Sequence, residues 1–181
     1  MTIEKNNSKA RSWYIKGNIY SEIAKNFLDI DPNALGIIRS GMYEVSNGIK
    51  GTARKSKIAI SEISMAAKTG TSQVRNITSK ERATGVIPNE KLPYNRRDHA
   101  LFVGFAPYNQ PKYAIAVVVE HGGGGSKVAA PIARDIMLRA LYEKIPPLEA
   151  YPEEQRAILA KRLKNLKLNP ALKPNLNKGN A

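Results

Sequence analysis

The amino-acid sequence predicts an α/β chain of the α+β type, with antiparallel strands packed against helices. Three observations carry that class. A helical apolar period follows Asp31-Pro32. Two short apolar runs, His99–Ala106 and residues 113–120, flank a turn rich in Pro and Asn. An amphipathic period then runs over residues 128–142.

Residues 1–30 are weakly patterned, with a short helix expected around residues 19–27. Asp31 is a candidate N-cap with Pro32 at the first helical position. Leu35, Ile38, Met42 and Val45 then recur on one helical face, and Gly48 stands where a left-handed C-cap is expected. Residues 63–74 read as extended chain carrying the small residues of AAKTGTS. Residues 76–98 read as a long charged loop punctuated by Pro88 and Pro93. The two apolar runs around Pro107–Pro111 form a β-hairpin. A glycine run, residues 122–125, leads into the helix of 128–142, where Val128, Ile132 and Ile136 recur and Pro131 is tolerated only in the first turn. Pro146-Pro147 is expected to close the globular part. A further helix starts near Pro152, with Leu159, Leu163 and Leu166 on one side and Lys or Arg toward its end. From Asn169 no apolar period remains, which predicts disorder. The expected divisions are therefore 1–30, 31–145, and a basic helix with a disordered tail over 146–181.

At 181 residues the chain is long enough to bury one sizeable core. It has no cysteine, which excludes disulfides and thiolate metal sites. Its two histidines, His99 and His121, stand far apart in the chain without neighbouring carboxylate pairs, so neither a metal nor any other cofactor is expected. The net charge of +14 favours anionic partners. Residues 151–181 hold seven basic side chains against two acidic ones. No apolar stretch approaches the about 20 residues that cross a bilayer, and the first twelve residues lack the apolar core of a signal peptide.

The sharpest chemical feature is Lys68-Thr69-Gly70-Thr71, set in an expected strand. Lys68 offers a fixed positive charge, and the Thr69 and Thr71 hydroxyls suit carboxylate oxygens. Gly70 lets a substrate backbone lie close to the strand. A strand edge offers N–H and C=O groups to an added peptide, and the Thr71 N–H is placed to donate to a developing oxyanion. A lone K-T-G-T is a weak signal, since a lysine in a small-residue strand is more often a solvated surface residue.

The order of blocks adds specificity. Gly51-Thr52-Ala53, AAKTGTSQV, Asp98-His99-Ala100-Leu101 running into VGFAPYNQP, and VVVEHGGGG before a final helix together resemble the class B penicillin-binding proteins, especially their elongation-type members. The resemblance covers about residues 31–143. It implies the C-terminal part of a β-lactamase/transpeptidase-like fold, a mainly antiparallel sheet flanked by helices. Residues 63–74 would border the active-site cleft, with His99–Ala106 and 113–120 as the next two strands. The activity implied is peptidoglycan D,D-transpeptidation, with Lys68, Thr69, Gly70, Thr71 and Ser72 binding substrate, Lys68 catalytic, and the Thr71 N–H in the oxyanion hole. Implied partners are the peptidoglycan stem peptide, β-lactams, a glycan polymerase and other elongation proteins. The implied location is an inner-membrane anchor with the catalytic domain in the periplasm.

The family's nucleophile motif, S-x-x-K, and its S-x-N motif are both missing from this sequence. Ser21…Lys25 and Ser64…Lys68 have one residue too many, and Thr52…Lys55 carries a threonine. The resemblance places both motifs upstream of the K-T-G strand, so the expected partner is the missing N-terminal half. The alternatives are a non-catalytic remnant of the fold or a basic nucleic-acid-binding protein, although no nucleic-acid motif is present and none is expected as a partner. Residues 122–125 read either as an anion cradle or as a strand-to-helix turn. His99 reads either as a general base or as a structural hydrogen-bonding residue. The interleaved Lys and Leu of 156–168 read as a membrane or nucleic-acid surface or as a solvated face, and Trp13 and Tyr14 as residues packing on an absent partner.

Overall fold

The computed structural model describes residues 31–165. Helix α1 spans Pro32–Asn47, strand β1 Ala66–Ser72, helix α2 Ser79–Thr84, strand β2 His99–Ala106, strand β3 Tyr113–Val119, helix α3 Ala129–Tyr142 and helix α4 Glu153–Asn165. The expected helix around 19–27, the packing of Trp13 and Tyr14, and the disordered tail lie outside the described residues, as does Leu166.

The strands form one antiparallel sheet in the order β1-β2-β3. Ala66 pairs with Phe105 and Ser72 with His99, while Ala100 pairs with Val119 and Ala106 with Tyr113. Both pairings expected from the sequence are therefore present. Strand alternation assigns the two faces. Ala100, Phe102, Ala106 and Val117 turn toward α3 and form a core with Ala129, Ala130, Ala133, Met137 and Leu138. On the opposite face, Lys68 pairs across to Val103 and Gly70 to Leu101, and Val103 and Val118 remain 46% and 48% exposed. Only one face of the sheet is covered along its length by described elements.

Several expectations are corrected. The extended stretch of 63–74 shortens to β1, because Ser61–Ile63 makes a 3₁₀ turn and the Ala59 N–H donates to the Ala150 carbonyl instead of to β2. β3 ends at Val119, one residue early, as the chain turns through His121 at φ 55°. Gly48 is extended at φ −67°, so α1 does not close on a left-handed cap; the Gly48 N–H still reaches the Glu44 carbonyl. The loop of 76–98 contains α2, opened by a capping box in which Thr78 and Glu81 bond each other's backbone N–H.

The apolar stripe of α1 is only half used. Val45 packs against the core, whereas Leu35, Ile37 and Ile38 are 41%, 73% and 56% exposed. Arg39 already reaches the Tyr108 carbonyl just past the end of β2, and the turns before it carry no described cover. The buried face of α3 is also not the Val128–Ile132–Ile136 stripe. Ile132 is 38% exposed, while three alanines lie against the sheet, because small residues allow the helix axis to approach closely.

Pro146-Pro147 does not close the globular part. Ala150 and Tyr151 are buried in the core, and Arg134 of α3, 3% exposed, lies 4.8 Å over the Tyr151 ring. Arg134 also donates to Gln155, which donates onward to the Lys55 carbonyl. Burial pushes the Tyr151 phenol upward, with the Asp135 carboxylate adding to the effect.

Candidate functional site

The K-T-G-T sequence lies on β1, an edge strand of the described sheet. Alternation divides its side chains: Lys68, Gly70 and Ser72 face away from α3, and Thr69 and Thr71 face the α3 side. The sequence expectation of one lining is thus realised as two rows meeting at a strand edge, where a ligand alongside β1 can touch both. Lys68, Thr71 and Ser72 are exposed, and Thr69 and Gly70 are half-buried.

Two of the polar side chains already have a partner. The Lys68 ammonium donates to the Thr69 carbonyl at 2.7 Å, which folds its chain back along the strand. The Thr69 hydroxyl lies 3.0 Å from that of Thr52. This contact also bears on Thr52…Lys55, the threonine version of the missing nucleophile motif. The hydroxyl of Thr52 bonds another hydroxyl rather than an amine base, so it lacks the partner that activates a nucleophile. Gly70 sits in a tight space: a β-carbon there would stand 3.2 Å from the Leu101 β-carbon, which would have to give by a few tenths of an ångström.

The far end of β1 is tied down by Asp98, whose carboxylate accepts from the Val74 N–H at 3.3 Å and from the Asn89 side chain at 3.0 Å. The Asp98 N–H donates to Asn89 at 2.8 Å, and its carbonyl accepts from Gly123. One residue thus joins the exit of β1 to the loop before β2 and to the glycine run. That run is the strand-to-helix turn: Gly123 has φ 82°, and Gly125 packs on the backbone of Gly70 and Leu101.

His99 and His121, far apart in sequence, are neighbours, with ring centroids 4.8 Å apart. His99 Nδ1 accepts from the His121 N–H at 2.9 Å, and His121 Nδ1 lies 2.9 Å from the Arg97 carbonyl. His99 is therefore a structural acceptor that holds the left-handed turn after β3. Among the described residues no three His, Cys, Asp or Glu side chains cluster to hold a metal ion.

Sequence reasoning missed the roles of Asp98, Gly125 and the Thr52 hydroxyl. Gly51-Thr52-Ala53 and Asp98 belong to the blocks that carry the resemblance, but nothing in their spacing connects them to β1. Among the described residues no helix is long and apolar enough to cross a membrane.

Comparison with known proteins gives the family. Residues 5–138 match the family described as the penicillin binding protein transpeptidase domain. The peptidoglycan D,D-transpeptidase MrdA of Haemophilus influenzae is 37% identical over 124 residues, which is 67% of this chain and 18% of the relative. Penicillin-binding protein PBP2 of Helicobacter pylori, solved in complex with MreC, is 40% identical over 61% of this chain and 17% of its own, with a TM-score of 0.47. PBP2 of Pseudomonas aeruginosa, solved with WCK 5153, is 39% identical over 67% of this chain and 23% of its own, with a TM-score of 0.45. The chain thus spans less than a fifth of the length of the MrdA relative. With most of its length matched, it belongs to the penicillin-binding protein transpeptidase domain family.

Proposed function

We propose that this chain forms the K-T-G wall of the acyl-transfer site in a peptidoglycan D,D-transpeptidase that cross-links stem peptides during cell elongation. The observation that carries the reading is the edge strand bearing Lys68, Thr69 and Thr71, on which Lys68 and Thr71 are exposed, in a chain of this family. A donor peptide lies along β1 as an added strand, close to Gly70, with its carboxylate on the two threonine hydroxyls. The serine that attacks comes from a part of the domain outside this sequence, where the S-x-x-K lysine takes its proton. As the serine oxygen bonds to the penultimate D-alanine carbonyl, the Thr71 N–H stabilises the oxyanion. The C–N bond to the terminal D-alanine breaks, and the leaving amine takes a proton. An acceptor amine then displaces the serine from the ester.

No cofactor enters this chemistry. A β-lactam follows the same first step and stays bound to the serine. The location in this reading is an inner-membrane protein with this domain in the periplasm. The H. pylori relative, solved with MreC, supports elongation-type partners, and a glycan polymerase belongs to the same reading.

Intact mass spectrometry after incubation with a β-lactam tests the assignment. The 181-residue chain alone acquires no covalent adduct. With the upstream part of the domain supplied in trans or by fusion, an adduct appears, and Lys68→Ala or Gly70→Val reduces it strongly. A stoichiometric adduct on the chain alone overturns the assignment.

A further inference from the structure

Thr52 is exposed to solvent, yet its backbone is held on a rigid seat. The Gly51 N–H donates to the Gly48 carbonyl at 3.0 Å, and the Ala53 N–H donates to the Val45 carbonyl at 2.9 Å. Ala53 is only 1% exposed. A β-carbon on Gly51 would overlap the Glu44 and Val45 carbonyls, so the chain enters this turn pressed against the end of α1. The seat delivers the Thr52 hydroxyl to 3.0 Å from Thr69, 17 residues later and on a different element.

A hydroxyl has one proton to give and lone pairs to receive. Between two hydroxyls, only one proton lies on the line joining them. If Thr69 gives its proton to Thr52, it has none left for an anion. If Thr52 gives its proton to Thr69, the Thr69 proton is free to point along the edge of β1, and each bond in the chain polarises the next. Thr69 also sits beside Lys68, whose ammonium is turned to the Thr69 carbonyl, so the oxygen and carbonyl of one residue are held by two neighbours.

We propose that Thr52 is a positioning residue for the transpeptidase site: its O–H donates to Thr69 Oγ1 and directs the Thr69 O–H at the carboxylate of a peptide lying along β1. The inference rests on the function proposed above and adds to it a residue outside the K-T-G-T strand. Thr52 does not touch the substrate; it sets the side-chain rotamer and proton direction of the residue that does.

The test uses the 181-residue chain with its threonine methyls labelled, titrated with N-acetyl-D-alanyl-D-alanine and, as a control, its methyl ester. In the unmodified chain the Thr69 and Thr71 signals respond to the acid and much less to the ester. Thr52→Val keeps the shape and removes the hydroxyl. It should weaken the acid's Kd by about three- to tenfold, the range for one net hydrogen bond. Three-bond couplings should show Thr69 losing its single χ1 rotamer, and Thr52→Ser should restore both. If Thr52→Val leaves the Kd and the Thr69 rotamer unchanged while acid and ester are still told apart, Thr52 has no such role and the carboxylate site stands. If the unmodified chain does not tell acid from ester, the carboxylate reading of β1 fails, and the role of Thr52 fails with it.

Discussion

Gly125 lies over Gly70 with so little room that a β-carbon on Gly125 would overlap the carbonyl oxygens of Gly70 and Leu101. The glycine run before α3 is thereby a backbone-to-backbone rest for the K-T-G strand, from the side that carries the core. Because the atoms in the way belong to the main chain, no rotamer change relieves the overlap; β1 or the turn must move.

Gly125→Ala should therefore cost about 1–3 kcal/mol, the usual penalty of overpacking. Gly124→Ala, with nothing within 4 Å of its added carbon, is the control and should change stability by less than about 0.5 kcal/mol. Urea melts of both variants measure the contrast, and equal melts would show that the turn yields freely.

Ser46 is fully buried on the inner side of α1, and its hydroxyl has no hydrogen-bond partner among the described residues. An unpaired buried hydroxyl carries its desolvation cost without return. Ser46→Ala should leave stability unchanged or raise it by up to about 1 kcal/mol, read as a higher denaturation midpoint.

Glu81 is held at about 2, well below its ordinary value of 4.5, first by the Arg75 guanidinium and then by the backbone N–H of Thr78. The charged form is thus favoured in the folded chain. Its contribution is fully present above about 4.5 and is lost as pH falls toward about 2. An NMR titration should find the Glu81 carboxyl titrating well below its ordinary value of 4.5, with the Thr78 and Glu81 amides shifting alongside it. Glu81→Gln should remove this acid-side dependence of α2.

Tyr151 is 6% exposed under Arg134, beyond the Pro146-Pro147 pair. Tyr151→Ala should destabilise the whole domain by about 3 kcal/mol, as loss of a buried aromatic does. A cooperative shift of the entire thermal transition is expected. A small separate transition would mean that the segment after Pro147 folds as its own unit.

What the sequence determined by itself were the features written in local spacing. Asp31-Pro32 and the period behind them specify α1, the alternation of His99–Ala106 and the following run specifies the hairpin, and the small residues around K-T-G-T mark strand β1. Each depends on neighbours within one turn or one strand pair, which is the range over which sequence periodicity acts. Tertiary structure alone decided the rest. It brought Thr52 to Thr69, set Gly125 on Gly70, paired His99 with His121 and returned Tyr151 to the core. These contacts join segments 17 to more than 50 residues apart, closed by loops whose ends no local period relates. A lone threonine or a fourth glycine carries the same spacing whether it meets a strand or open water. Only the close packing of sheet, turn and helix distinguishes the two.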